Sequence, residues 1–162
     1  MLNDKIALVT GATRGIGRAI ALELGKLGAT VIGTATSADG AGKISAYLAE
    51  ADIKGKGVCL DVCDAARTDA VLGELAKEFG AITVLVNNAG ITRDNLSLRM
   101  NDDEWDAVID TNLKAVFRLS RGVMRGMMKA RFGASSISRR WSAIRAMPGR
   151  PTIARPRPEW PV

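Results

Sequence analysis

Short apolar runs and longer amphipathic stretches alternate along the chain as far as residue 128. Lys5–Thr10 carries Ile6-Ala7-Leu8-Val9, is rich in β-formers and runs into a glycine-dense turn, which predicts a strand. Arg18 to Leu24 then follow at helical spacing, so Gly15–Leu27 is predicted as an amphipathic helix closed by Gly28. Thr30–Thr34 predicts a second strand, and Ala38–Ala51 a helix with Ile44, Tyr47 and Leu48 on one face. Gly57–Leu60 predicts a third strand ending at Asp61. Asp64–Phe79 predicts a helix with Val71, Leu72 and Leu75 inward and Gly80 as its stop. Ile82–Val86 is apolar throughout, as befits a strand covered on both faces, and a long helix is predicted from about Asp102 to Met128. Four βα units in series imply a parallel sheet with right-handed crossovers, a doubly wound α/β architecture. It is expected to be truncated after strand four and the long helix that follows.

Composition narrows the classes. The chain has 162 residues, one domain's worth, with 47% hydrophobic residues and a mean hydropathy of +0.06, which fits a soluble globular protein. Asn3, Asp4 and Lys5 interrupt the start, the next apolar run is too short for a signal peptide, and no stretch approaches a membrane span. A cytoplasmic protein with no membrane partner is expected. Histidine is absent, which excludes imidazole catalysis and His-based metal sites. Cys59 and Cys63 are too few for a disulfide framework or a zinc site, so they read as reduced thiols near a strand end and no metal is expected.

Charge divides the chain at Gly133. Residues 133–162 hold six arginines (139, 140, 145, 150, 155, 157) against one acid, Glu159. That is +5 of the net +6, leaving +1 for residues 1–132. All five prolines (148, 151, 156, 158, 161) lie in the same last stretch. Two parts are therefore expected: residues 1–132 as a Rossmann-type domain, and residues 133–162 as a disordered Arg/Pro-rich tail.

The chemistry gathers in two loops. Thr10-Gly11-Ala12-Thr13-Arg14-Gly15-Ile16-Gly17 joins the first strand to the first helix. Glycines let a backbone take positive φ and approach a ligand, and a helix N-terminus offers free N–H groups to a pyrophosphate. A tight connection would use the same glycines, and that motif alone leaves the two readings near even. The second loop, Asn87-Asn88-Ala89-Gly90-Ile91-Thr92-Arg93-Asp94-Asn95, leaves strand four. By itself it could be a polar turn. In a doubly wound sheet, however, both loops flank the crevice at the carboxyl ends of the strands, where ligands bind.

Thr-Gly-x-x-x-Gly-x-Gly with Asn-Asn-Ala-Gly resembles the short-chain dehydrogenase/reductase family. Gly33-Thr34-Ala35-Thr36-Ser37, Gly90 to Asn95, Met100 to Trp105, Asp110-Thr111-Asn112-Leu113 and Val116 to Ser120 are similar to its 3-oxoacyl-acyl-carrier-protein reductase branch, from about Lys5 to Gly133. The resemblance implies NADPH-dependent reduction of a 3-oxoacyl thioester to the 3-hydroxyacyl form in fatty acid biosynthesis. It implies NADP(H) held by Gly11, Arg14, Gly15, Ile16 and Gly17 at the diphosphate and adenosine phosphate. Asp61 and Val62 would meet the adenine, and Asn88, Ala89 and Gly90 the ribose near the nicotinamide, with Thr10, Thr13 and Thr36 also among the cofactor-binding residues. Asn112 would be the catalytic asparagine, beside a proton-relay water. Met124, Met127 and Met128 read as packing, on a helix that lies in a subunit interface in the family. A full-length form would be a homo-oligomer, a tetramer. Lys129 and Arg131 are either solvated charges or a surface for an acidic acyl carrier protein, with coenzyme A as the alternative thioester carrier.

The family pattern then stops. A member continues past Gly133 with a fifth strand ending in a catalytic Ser and a helix bearing Tyr-x-x-x-Lys, whose Tyr protonates the developing alkoxide. Here Ala134-Ser135-Ser136-Ile137-Ser138-Arg139-Arg140-Trp141 follows, and the only tyrosine, Tyr47, lies on the second helix, away from the crevice. A basic arm for nucleic acid or another acidic surface is one reading, with nucleic acid disfavoured. Codon overlaps supply another. Residues 134–137 can be encoded GCA TCA TCA ATC, and from its third base that reads Ile-Ile-Asn. Onward the overlaps permit Ile or Leu, then Ser-Ser-Val-Val-Gly. Further on, the codons of Gly149 to Ile153 permit Gln-Thr-Asn-Tyr, with a Lys codon across Pro156 and Arg157. One base lost after the Gly133 codon accounts for all of it, and the chain as written is then expected to be catalytically inactive. The alternative is a non-catalytic dinucleotide-binding fragment or a basic-tailed interaction protein.

Overall fold

A computed structural model describes residues 1–93 and 101–138. Strands β1 (Ile6–Val9), β2 (Thr30–Ala35), β3 (Gly55–Cys59), β4 (Val84–Asn87) and β5 (Ala134–Ile137) form one parallel sheet in the order β3-β2-β1-β4-β5. Helices α1 (Gly15–Lys26), α2 (Ala38–Glu50) and α3 (Ala65–Glu78) connect the first four strands. The chain direction across the sheet reverses between β1 and β4, which sets a crevice at their carboxyl ends. This is the α/β doubly wound, Rossmann-type fold expected from the βα repeats.

Alternation along each central strand sorts its side chains into two cores. Leu8, Ile32 and Leu85 pack with Val71, Leu72, Leu75, Leu119 and Val123 on one face. Ala7, Val9, Val31, Val84 and Val86 pack with Ala21, Ile44, Tyr47 and Leu48 on the other. Both faces of β1 and β4 are thus covered, which is why their sequences are apolar without a break. Each fully buried Leu or Ile contributes about 1.5–3 kcal/mol.

The sheet does not end at β4. From sequence alone strand four is expected to be the edge and residues 133–162 to carry no strand, and the structure corrects both. Ala134–Ile137 pairs in parallel with β4, from Val84 opposite Ala134 to Asn87 opposite Ile137. The ladder is extended by Ala134 N–H donating to Thr83 O at 3.0 Å and Ser138 N–H donating to Asn87 O at 2.9 Å. A ladder needs only backbone donors and acceptors, and the first proline comes ten residues after Ser138, at 148. All four β5 side chains are nevertheless exposed. The rest of the tail, 139–162, and residues 94–100 (with Asp94, Asn95 and Met100 of the family-like segments) lie outside the described residues.

Two boundaries also differ. β3 begins at Gly55 rather than Gly57, because Val31 to Ala35 of β2 pair with Gly55 to Cys59. The long helix is not uniform: α4 (Asp102–Ile109) passes through a five-residue π turn, Asp110–Lys114, into α5 (Ala115–Ala130). α4 starts with a capping box between Asn101 and Glu104.

The inner side of this helix buries Ala115, Leu119 and Val123. On its outer side Trp105, Leu113, Phe117, Met124 and Met128 are each more than half exposed. Of the three methionines, only Met127 packs against the core, so the expectation of packing holds for one. An apolar stripe of this size favours self-association. The 162-residue chain expressed alone is therefore expected to aggregate or to bind a hydrophobic dye without a sharp melt. A soluble monomer with a cooperative thermal transition would contradict this.

Candidate functional site

The two loops predicted to flank the crevice are a single hydrogen-bonded unit. Thr10, at the end of β1, is buried, and its hydroxyl accepts the N–H groups of Asn88 and Ala89, both at 2.9 Å. The Asn88 side-chain amide donates to the carbonyls of Thr10 and Gly11, both at 3.0 Å. Close approach is built in. Gly11 has φ of 63°, and a Cβ there would lie 3.1 Å from the Ala89 Cα. A Cβ on Gly17 would strike the Gly11 carbonyl and lie 2.5 Å from the Asn88 amide nitrogen. The polar atoms of Thr10 and Asn88 that sequence assigns to a cofactor are thus largely engaged with one another, shaping the crevice from within.

β2 and α2 hold the same turn from beneath. Gly11 N–H donates to Thr34 Oγ1 at 3.3 Å and Ala12 N–H to Thr34 O at 3.0 Å. The Tyr47 hydroxyl donates to Ala12 O at 3.0 Å. Tyr47 does belong to the second helix as expected, but its ring crosses to the underside of the glycine turn. Burial pushes its pKa up to about 12, against the pull of the Arg18 guanidinium stacked 5.0 Å from its ring centroid. A phenol so placed keeps its proton near neutral pH and serves as an anchor for the turn.

The start of α1 is left open. Ser37 caps α2 by accepting Gly40 N–H and Asp64 caps α3 by accepting Arg67 N–H, but Arg14 before α1 makes no side-chain cap and no acid occupies the first turn. Arg14, Gly15 and Ile16 are exposed at this end, and Thr13 is half-buried beside them. Free N–H groups with a guanidinium nearby suit an anion.

At the opposite side of the crevice, Thr36 is exposed just past β2, and Asp39, the nearest acid, is paired with Lys43 at 2.7 Å. Asp61 is exposed and accepts Cys63 N–H at 2.9 Å. The Val62 side chain lies in the core and its carbonyl accepts from Arg118 at 3.2 Å, so an adenine could meet only its backbone.

Asn112 sits in the π turn. Its amide donates to Ile91 O at 2.9 Å and accepts Ile91 N–H at 3.0 Å, much as a strand neighbour would. A Cβ on Gly90 would approach the Asn112 oxygen to 3.1 Å. One extra residue in the turn brings this side chain to the loop, a common use of π bulges. The helical pattern carried no sign of that turn.

The structure therefore gathers Thr10, Gly11, Gly15, Gly17, Asn88, Ala89, Gly90 and Asn112 around one crevice. No cluster of His, Cys, Asp or Glu that could hold a metal occurs among the described residues, nor a helix long and apolar enough to cross a membrane. The family model described as short chain dehydrogenase matches residues 5–136. The chain belongs to the short chain dehydrogenase family. It is 60% identical over 132 residues to a 3-oxoacyl-[acyl-carrier-protein] reductase FabG of Vibrio harveyi, covering 82% of this chain and 53% of that protein. It is 60% identical over 129 residues to the protein of that name in Escherichia coli (80% and 52%), and 57% identical over 132 residues to that of Pseudomonas aeruginosa (82% and 53%). The chain spans about half the length of the curated relatives it matches.

Proposed function

We propose that residues 1–132 are the NADP(H)-binding half of an enzyme that reduces 3-oxoacyl thioesters to 3-hydroxyacyl thioesters in fatty acid biosynthesis. The observation that carries this is the union of the two loops through Thr10 and Asn88, beside an uncapped α1. The fit is good: open N–H groups, a glycine turn without room for a Cβ, and Arg14 at the rim. Gly11, Gly15, Ile16 and Gly17 would hold the diphosphate, with Thr13 at the rim. Thr36, Asp61 and the Val62 backbone would border the adenosine, and Ala89 and Gly90 the nicotinamide ribose. The bound nucleotide supplies a hydride to the keto carbon. The chain's own residues orient that encounter, and Asn112 fixes the loop that borders it.

No tyrosine or histidine free to protonate the alkoxide stands at the crevice among the described residues. Tyr47 is engaged under the turn, and the chain has no histidine. A base lost after the Gly133 codon accounts for this: the intact gene encodes the Ser and Tyr-x-x-x-Lys segment, and the 162-residue product is inactive. The restored enzyme would act in the cytoplasm as a tetramer on an acyl carrier protein or coenzyme A thioester, with Lys129 and Arg131 facing an acidic carrier. A second reading, a non-catalytic dinucleotide-binding fragment or a basic-tailed interaction protein, is favoured by the six arginines of 133–162. Intact mass of the native protein separates the two. A species well above 17.2 kDa means that the unshifted frame is translated and the enzyme is made, and 17.2 kDa means that the product is the truncated chain.

Cofactor choice follows from charge. An acid at the end of β2 would favour a free ribose hydroxyl. Here Thr36 and Ser37 stand there, Asp39 is paired with Lys43, and Arg14 offers a fixed positive charge to a 2′-phosphate. The frame-restored protein is expected to prefer NADPH over NADH by tenfold or more, about 1.4 kcal/mol. Arg14→Ala should erase most of that margin in dissociation constants read by nucleotide fluorescence. Equal affinities in the parent, or an unchanged margin in the variant, would refute it.

A further inference from the structure

Asn87, the last residue of β4, is 2% exposed, and neither its amide nitrogen nor its amide oxygen has a hydrogen-bond partner among the described residues. A buried primary amide left wholly unpaired is costly, and its neighbours should explain it. Its carbonyl is satisfied by β5, whose Ser138 N–H donates to Asn87 O. The residue opposite it in the ladder is Ile137, which cannot hydrogen-bond through its side chain and is 51% exposed. Neighbouring strands lie about 4.8 Å apart, and ladder partners point to the same face, so this is the position from which a side chain would reach the amide.

The shifted frame supplies that side chain. With serine codons of the TCN type, restoring one base after Gly133 makes codons 135 and 136 both NTC, which encode only Phe, Leu, Ile or Val. Codon 137 becomes NAT, which encodes only Tyr, His, Asn or Asp. Along β4 the facing residues are Leu85, Val86 and Asn87. Apolar, apolar and hydrogen-bonding on the restored strand thus meet apolar, apolar and hydrogen-bonding on β4. The written frame puts Ser135, Ser136 and Ile137 there, which mismatches all three.

We infer that Asn87 is one half of a cross-strand polar pair whose other half is encoded, in the shifted frame, in place of Ile137, and that this pair fixes the register of β5. The inference rests on the lost-base reading proposed above and adds a role for Asn87. Asn87 is then a positioning residue: the restored codons at 139 and 140, which permit serine, follow β5 directly, so the register of the strand sets where their side chains fall. A parallel strand that slips by one residue turns its side chains to the other face.

The test uses the gene with one base inserted after the Gly133 codon and its native downstream DNA. Asn87→Leu, Leu in place of the restored residue 137, and the double variant are compared in urea melts, NADPH dissociation constants and kcat. Each single variant should lower the folding equilibrium about tenfold or more. The double should be no worse than either single, because replacing both partners removes the unpaired group. Asn87→Leu should also lower kcat about a hundredfold while the NADPH dissociation constant stays within twofold, since the Thr10–Asn88 tie is untouched. Additive effects in the cycle, or an unchanged kcat, would overturn the pairing. A restored protein that folds and obeys the cycle but reduces no thioester would instead sink the proposed function.

Discussion

No oxidation of NADPH with acetoacetyl thioesters above background is expected from the 162-residue chain, and one base inserted after the Gly133 codon is expected to restore it. Hydride transfer to a ketone creates an alkoxide that must be protonated as it forms, by an acid within hydrogen-bond reach. Among the described residues, no tyrosine or histidine stands free at the crevice to do so. Tyr47 donates to Ala12 O, has its pKa pushed up to about 12 by burial, and lies beneath the turn. Losing a general acid costs about 10²–10⁴-fold by itself, and losing the strand and helix that position the substrate deepens the loss. β5 does not compensate: its backbone pairs with β4, but Ala134, Ser135, Ser136 and Ile137 are all exposed and bury nothing. Stopped-flow or steady-state absorbance at the nicotinamide band reads the outcome. Turnover by the unrepaired chain would refute both the lost base and the roles assigned here.

Asn88→Asp in the frame-restored protein is expected to be nearly as damaging as Asn88→Ala. The parent amide donates to the carbonyls of Thr10 and Gly11, both at 3.0 Å, and among the described residues no other side chain donates to either oxygen. Alanine leaves both acceptors unpaired. Aspartate keeps the shape but, when ionised, turns an acceptor toward two acceptors. The expected loss is about 2 kcal/mol, near thirtyfold, felt in both stability and NADPH affinity because the same atoms fix the glycine turn. Thr10→Val should approach this, since its hydroxyl accepts the N–H groups of Asn88 and Ala89. Urea midpoints and nucleotide titrations measure the two effects. Retention of NADPH affinity within twofold in Asn88→Asp would show that the two loops are independent.

Periodicity carried most of this protein in plain sight. Parallel strands buried on both faces must be apolar throughout, and helices between them must show one apolar face, so β1, α1, β2, α2, α3 and β4 fall within a few residues of where their patterns place them. The glycine turn and Asn87-Asn88-Ala89-Gly90 were legible as well, because close backbone approach leaves few residue choices. Tertiary structure alone decided three things. It recruited Ala134–Ile137 as β5, since ladder hydrogen bonds are made by backbone atoms and side-chain patterns do not record them. It opened the π turn that brings Asn112 to Ile91, a one-residue change of pitch that helical spacing does not encode. And it turned Thr10, Asn88 and Tyr47 inward, because which polar side chain meets a ligand and which one braces the loop depends on neighbours far away in the chain, 78 residues apart for Thr10 and Asn88 and 35 for Ala12 and Tyr47.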